Sequence, residues 1–491
     1  MTPLRCWRRL CISTVSPGWV QRACSTHAGY KSIGSFHSDD VDALVRLSPA
    51  EYEAPVTPPS VRRAIVTAFA QIVRTKNLMG GAGFDSAIAR RRLFMLDEAW
   101  TFVNHGAFGA ALAPAFNVAH AWRTFAESQP LRFFDRVLLP HMVHSVRRAA
   151  EFVGADARDL VLLPNATMGL NIVMQSMTLR PGDHVFMLDT AYGAAKSIAQ
   201  HVCARTGAHL DMVPVPLPLA QDPAKASASL VQLVERHMHP DTALAVFDHC
   251  TSNTALSMPV NDLARAAKSK TSGATEVLVD GAHGLLAHHD LRLSASDMPD
   301  VDFYVANCHK WLCSPKAVAL LWAPRRKPAP VVLSHGADHG FLSQHVWDGC
   351  RDHAAALSLP FLFDAWEVMD AMWGARWCGE HMHVLLRLAV AVLVDAWQPH
   401  GGGALIAPVA MHRSMALVGV PPLREDAPHT SADAKVLQDM LHDEFTVECP
   451  VKTIDGALYV RISAHIYNDV ADYRALAVAV LSAVDQLRTR V

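Results

Sequence analysis

None of the ten cysteines in this 491-residue chain stands in a CxxC pair. Structural zinc and dithiol redox centres need such tight, repeated spacing, so neither organises this protein, and reduced thiols in an intracellular compartment are the default. An excess of either charge is also missing. Lys+Arg total 44 against 46 Asp+Glu, a formal net charge of -2, and no basic stripe is interleaved with aromatics, so no nucleic-acid partner is expected. The most lipophilic helical stretch, LLRLAVAVLVDAW at 385–397, is broken by Arg387 and Asp395 and is too short to span a bilayer. It reads as a buried core helix, and no membrane partner is expected. Internal repeats and an HExxH helix are lacking too, so the 27 histidines, including His335, His339 and His345, read as surface or satisfied core groups with no metal site. Gly80, Gly81 and Gly83 lack the Lys-Ser/Thr of a phosphate loop and read as a hinge or turn.

What is present is a large apolar chain, 51% hydrophobic, able to bury a core and to divide into domains. Its first 38 residues carry Arg5, Arg8, Arg9, Arg22 and Lys31, with no acid before Asp39. That start resembles an organellar transit peptide; a disordered extension or a misassigned start codon is the alternative, so the expected location is mitochondrial or cytoplasmic. The division expected is a leader or extension over 1–40, a helical segment over 41–90, a large domain over 91–355 and a smaller α+β domain over 356–491. In the large domain VLLP, HVFMLD, LAVFDHC, EVLVD, DFYVAN and AVALLWAP read as short buried strands alternating with helical periodicity. Such alternation implies an α/β fold with a mostly parallel sheet covered on both faces, whose active site lies at the carboxyl ends of its strands.

Asp280 closes the strand EVLVD, and Lys310 follows thirty positions later in NCHKWLCSPK. A strand-end acid and a lysine in a second strand-to-loop context are what a pyridoxal 5'-phosphate site requires. The lysine takes the aldehyde as a Schiff base, and the carboxylate keeps the pyridine nitrogen protonated so that the ring can absorb carbanion charge.

Eight ordered motifs extend this pair: FVNHGAFG, LLPNATMGLN, DTAYGA, DHCTSNTALSMPV, VDGAHG, NCHKWLCSPK, WDGCRD and VRISAHIYN. Together they resemble the class V aminotransferase family of fold-type I pyridoxal phosphate enzymes. The branch most similar is that of isopenicillin N epimerase, cysteine desulfhydrases and sulfoxide carbon-sulfur lyases. The resemblance, over about residues 90 to 490, implies a seven-stranded-type sheet with a smaller α+β domain, and a homodimer with sites at its interface.

Ala166 and Thr167, where a strand turns into a helix, can hold the phosphate with backbone N–H groups, the helix dipole and a hydroxyl; Asn165 or Thr167 could equally be an ordinary N-cap. By resemblance Tyr192 stacks on the pyridine, His283 bonds the phenolic oxygen, His309 contacts the phosphate, and Arg461 grips the substrate α-carboxylate. Asn104, His105 and Gly106 are expected in a loop over the substrate, Gly106 allowing close backbone approach. Ser252 and Ala255 stand where cysteine desulfurases carry Asn and Gly, which moves the reading away from a true desulfurase. Cys350 replaces the threonine whose hydroxyl reaches the phosphate from the partner subunit, and a thiol is a poorer donor. Cys449, twelve residues before Arg461, lies in the β-like run TVECPV and reads as a buried strand cysteine rather than a mobile nucleophile. The chemistry expected is carbon-sulfur lysis or epimerisation of an L-amino acid, with Lys310 as base and Asp280 as electrostatic support. The alternatives are transamination, cysteine desulfuration or a catalytically silent homologue.

Overall fold

Continuous apolar runs such as LVLL and FYVAN cannot leave either face in water, and helices cover both sides of the sheet they build. The computed structural model describes residues 39–79, 84–288, 290–336, 339–374 and 376–490. The arginine-rich start, Gly80, Gly81 and Gly83 lie outside the described residues. The strands are β1 (Thr101–Phe102), β2 (Leu160–Leu163), β3 (His184–Leu188), β4 (His209–Val213), β5 (Thr242–Asp248), β6 (Glu276–Asp280), β7 (Phe303–Asn307), β8 (Ala319–Trp322), β9 (Met415–Gly419), β10 (Val447–Glu448), β11 (Val451–Ile454) and β12 (Ala457–Ser463).

The large sheet has seven strands in the order β2-β8-β7-β6-β5-β3-β4, and β8 alone runs against the others. Strand β4, HLDMV, was not among the strands expected from sequence. It is one of the sheet's two edges and exposes part of its length, so it lacks the apolar continuity that marks its neighbours. Asp248 and Asp280, the last residues of β5 and β6, are register partners, and Asn307 ends β7 beside them. Three polar side chains thus converge at the carboxyl edge, where open α/β sheets bind ligands. The helix Ala166–Gln175 starts at the same edge, capped by Asn165, whose Oδ1 accepts the Met168 N–H at 2.9 Å.

A second sheet, β11-β12-β9, is antiparallel, and β1 pairs parallel with β10, stitching the FVNHGAFG segment onto the C-terminal part of the chain. Val103 accordingly joins a second apolar core made by residues between Leu385 and Leu487. The helix Trp377–Trp397 is longer than the run noted in the sequence. By length and composition alone it could cross a membrane, but its inner face, with Leu386, Ala389, Leu393 and Trp397, is buried in that second core. Strand periodicity places the key arginine: Leu458, Val460 and Ile462 enter the second core, so Arg461 and Ser463 face the other way, toward Ser252 and Gly106.

Gly281 shows how tightly the strand-end turn after Asp280 is packed, since a Cβ there would meet Tyr304 Cζ at 2.1 Å. Gly281→Ala is expected to lower stability by about 1–3 kcal/mol through overpacking. Gly193→Ala, at a helix start with nothing within 4 Å, should change it little. Urea unfolding of the two variants checks this contrast.

Candidate active site

A cavity of about 180 Å³ opens where β5, β6 and β7 end. Ala166, Thr167, Tyr192, Ser252, Asp280, His283, His309 and Lys310 line it, all anticipated from sequence, and Phe108, Asp248, Cys250 and Asn307 join them. Asn307 was not anticipated. Its Oδ1 accepts the Ala166 N–H at 2.9 Å, tying the end of β7 to the helix start. Ala166 therefore has its N–H engaged within the protein, which corrects the expectation that it binds phosphate through that group. The Thr167 N–H and hydroxyl, in the first helical turn, remain the donors suited to an anion.

Lys310 Nζ stands 3.0 Å from His283 Nε2, and Trp311 Nε1 donates to His283 Nδ1 at 3.2 Å. An indole nitrogen can only donate, so Nδ1 is the unprotonated nitrogen of the neutral ring and Nε2 carries the hydrogen. Burial and the Lys310 and Arg461 charges push the His283 pKa well down, so the ring stays neutral. It therefore presents an N–H donor toward the lysine nitrogen or toward a phenolic oxygen in its place. Trp311, unassigned from sequence, fixes this tautomer. Burial likewise lowers Lys310 from 10.5 to about 8, against the opposing pull of Asp280.

The two strand-end carboxyls divide the labour. Burial raises both pKa values, and the nearby Asp280 charge raises Asp248 further. Asp280 is relieved by the Ala282 N–H, at 3.0 Å, and by Lys310, so Asp280 is the ionised member and Asp248 takes the proton.

Beneath the lysine lies a buried group that holds its backbone. His105 Nε2–H donates to the Lys310 carbonyl at 3.1 Å while Nδ1 takes the Tyr467 hydroxyl at 2.9 Å. His465 Nε2 lies 3.1 Å from the Trp311 carbonyl and 3.3 Å from Cys313 Sγ. The ligand atoms of His105, Cys313 and His465 lie within 4.8 Å of one another, the one such cluster among the described residues. Its imidazole Nε2 atoms are engaged with carbonyls. His105 is fully buried, and both its ring nitrogens face protein partners, so it supports the lysine from below instead of covering substrate. The role given to Gly106 is corrected as well: a Cβ there would meet Met415 Sδ at 2.1 Å, a packing need. Gly109 makes the close approach at the site, at φ +68°, where a Cβ would meet the His309 carbonyl oxygen at 2.0 Å.

Arg461 is 4% exposed, with one terminal nitrogen donating to the Ser252 carbonyl at 2.5 Å and the other to Asn104 Oδ1 at 3.0 Å. Asn104 Nδ2 in turn donates to Glu448 Oε1 at 2.9 Å. Arg461 Nε is buried without a hydrogen bond, and no carboxylate pairs with the guanidinium among the described residues. Such a cation suits an anionic ligand. Tyr192 is 44% exposed at the cavity, so its ring is not committed to the core. Cys350 is exposed and does not line the cavity. Cys449 is buried in the second core, where desolvation pushes its thiol far up.

The donor set fits a planar phosphorylated aldehyde. Thr167 suits the phosphate, Asp280 the ring nitrogen, His283 Nε2–H a phenolic oxygen, and Lys310 the aldehyde. These features define a pyridoxal 5'-phosphate enzyme of fold type I. The family model of aminotransferase class V matches residues 141–339. A protein of Oryza sativa subsp. japonica named for L-cysteine desulfhydrase is 30% identical over 410 residues, 77% of this chain and 82% of its own. Isopenicillin N epimerase of Streptomyces clavuligerus is 28% identical over 411 residues, covering 79% and 96%. The solved complex of the cystine C-S lyase C-DES with cysteine persulfide shares the fold at TM-score 0.62 and 19% identity, over 79% of this chain and 97% of that one. The chain belongs to the class V aminotransferase family, and its cofactor is pyridoxal phosphate.

Capture of the cofactor by the apoenzyme requires the neutral Lys310 amine. With the pKa lowered to about 8, the capture rate should rise with pH through a midpoint near 8 and level off above it. A midpoint near 10.5, followed by stopped-flow absorbance, would contradict the depressed lysine. In 15N NMR, His283 is expected as the Nε2–H tautomer, and Trp311→Phe should admit the other.

Proposed function

We propose that this enzyme is a carbon-sulfur lyase that eliminates a sulfur group from the β-carbon of an L-cysteine derivative. The observation that carries this reading is the single base. Of the cavity's lysine, histidines and cysteine, only Lys310 has its pKa moved toward neutral pH. His283 is pushed well down, His309 to about 4 and Cys250 up to about 12. Elimination needs one group that removes the α-proton and returns a proton to the leaving group, whereas epimerisation by two opposed bases needs a second.

The bound cofactor supplies the electron sink for the pair left when the α-proton departs. Arg461, held by Asn104 and Ser252, grips the α-carboxylate and so fixes which substituent points at Lys310. Lys310 Nζ accepts the α-proton. The carbon-sulfur bond then breaks, the sulfur leaves with the bonding pair, and the Lys310 ammonium returns the proton to it as a thiol. Released 2-aminoacrylate tautomerises and takes up water to give pyruvate and ammonia. Ionised Asp280 stabilises the protonated ring throughout, and neutral His283 holds its N–H toward the phenolic oxygen without competing as a base. Thr167 and His309, at the cavity wall, would hold the phosphate, and Tyr192 would lie against the ring. The active form is proposed as a homodimer in which the segment around Cys350 reaches the site of the partner subunit.

Pyruvate release from S-substituted cysteines by the purified holoenzyme tests the reading. Lys310→Ala should lose activity by about 10²–10⁴-fold. Arg461→Lys should lower kcat/KM by about 1.5–3 kcal/mol, since lysine cannot make the paired contacts. Solvent deuterium entering the α-carbon with loss of optical rotation and no pyruvate would replace lysis by epimerisation.

A further inference from the structure

A second cavity, of about 700 Å³, lies beside the cofactor cavity, and Ala107 and Phe108 line both. Its wall also contains Asn104 and Glu448, the pair that braces Arg461. Asn104, which holds Arg461, thus lines the larger cavity, and Ala107 and Phe108 join that cavity to the one that contains Lys310.

The larger space is far more than a thiol requires and falls within the roughly 300–1,000 Å³ of small-molecule sites. Its lining is mostly apolar, with Met95, Trp100, Phe102, Phe108 and Phe116 its largest apolar side chains, and Asp97, Lys316 and His442 add charged or polar groups to Asn104 and Glu448. Phe108 is 76% exposed and Met95 55% exposed, so both leave apolar surface in water that a bound group would cover. The fold has reason to hold Phe108 here. Gly109, the next residue, is pinned against the Lys310 backbone, and its carbonyl takes Lys316 Nζ at 2.9 Å, so the wall of this cavity is built onto the catalytic turn.

We infer that this cavity receives the sulfur substituent, and that the substrate is an L-cysteine S-conjugate bearing a bulky apolar or aryl group instead of free cysteine. The inference rests on the lyase reading and assigns the leaving group as a thiol of several carbons, expelled with its electron pair and protonated from Lys310.

The test is kcat/KM of the holoenzyme for pyruvate from L-cysteine, S-alkyl-L-cysteines from methyl to hexyl, and S-benzyl-L-cysteine. Each buried methylene should raise kcat/KM by about fourfold until the cavity fills, and S-benzyl-L-cysteine should exceed L-cysteine at least tenfold. In Ala111→Trp, which narrows the cavity, the ratio of S-benzyl to L-cysteine should fall at least tenfold with the cofactor absorbance unchanged. A flat series, or L-cysteine as the better substrate, overturns the inference. So does an unchanged ratio in a folded Ala111→Trp, or a change of oligomeric state in that variant, which would assign the cavity to a second chain. If no amino acid yields pyruvate, the lyase reading falls separately. Preference is then read from α-proton exchange across the same series, where a bias toward large side chains upholds the cavity assignment and a bias toward L-cysteine overturns it.

Discussion

Everything at this site follows from enclosing one amine. Lys310 must lose its proton to react, and burial drives it that way, yet an enclosed ammonium also needs a counter-charge when the proton returns. The strand-end Asp280 supplies that charge, and register pairing with Asp248 means a second buried carboxyl lies beside it. Two anions cannot persist there, so Asp248 takes a proton and the site keeps one negative charge, set against the lysine and, when bound, the ring. The neighbouring imidazole is kept from acting as a base by desolvation and by the Trp311 indole.

The support for this arrangement comes from both halves of the chain. The parallel sheet delivers Asp248, Asp280 and Asn307 to one edge, while the second sheet delivers Arg461 by strand alternation. FVNHGAFG joins the two. Its first residue lies in β1, which pairs with β10, its Asn104 braces Arg461, its His105 holds the Lys310 carbonyl, and its Gly109 lies on the His309 carbonyl. One short segment thus sets the distance between the carboxylate grip and the base, the distance that decides which bond of the substrate is presented to Lys310.

Residues at strand ends were legible in the sequence because their chemistry is local. Asp280 and Lys310 were read from residue type and position, and His283 and His309 entered through the resemblance of the short motifs they share with them. What could not be read depends on long-range packing. His105 was placed with Asn104 and Gly106 in a loop over the substrate, and only the approach of Tyr467 and Lys310, far along the chain, buries it. Asn307 and Trp311 flank the motif in plain view, but their partners, Ala166 and His283, come from other elements. Strand β4 was missed because its half-exposed run HLDMV lacks apolar continuity, and the second cavity was missed because its walls come from separate segments.

The most direct test of the central claim is borohydride reduction of the holoenzyme followed by peptide mapping. The account requires the cofactor mass on Lys310 alone. Attachment at Lys316, the neighbouring lysine at the second cavity, or at no lysine, would contradict the assignment of the base and the mechanism built on it.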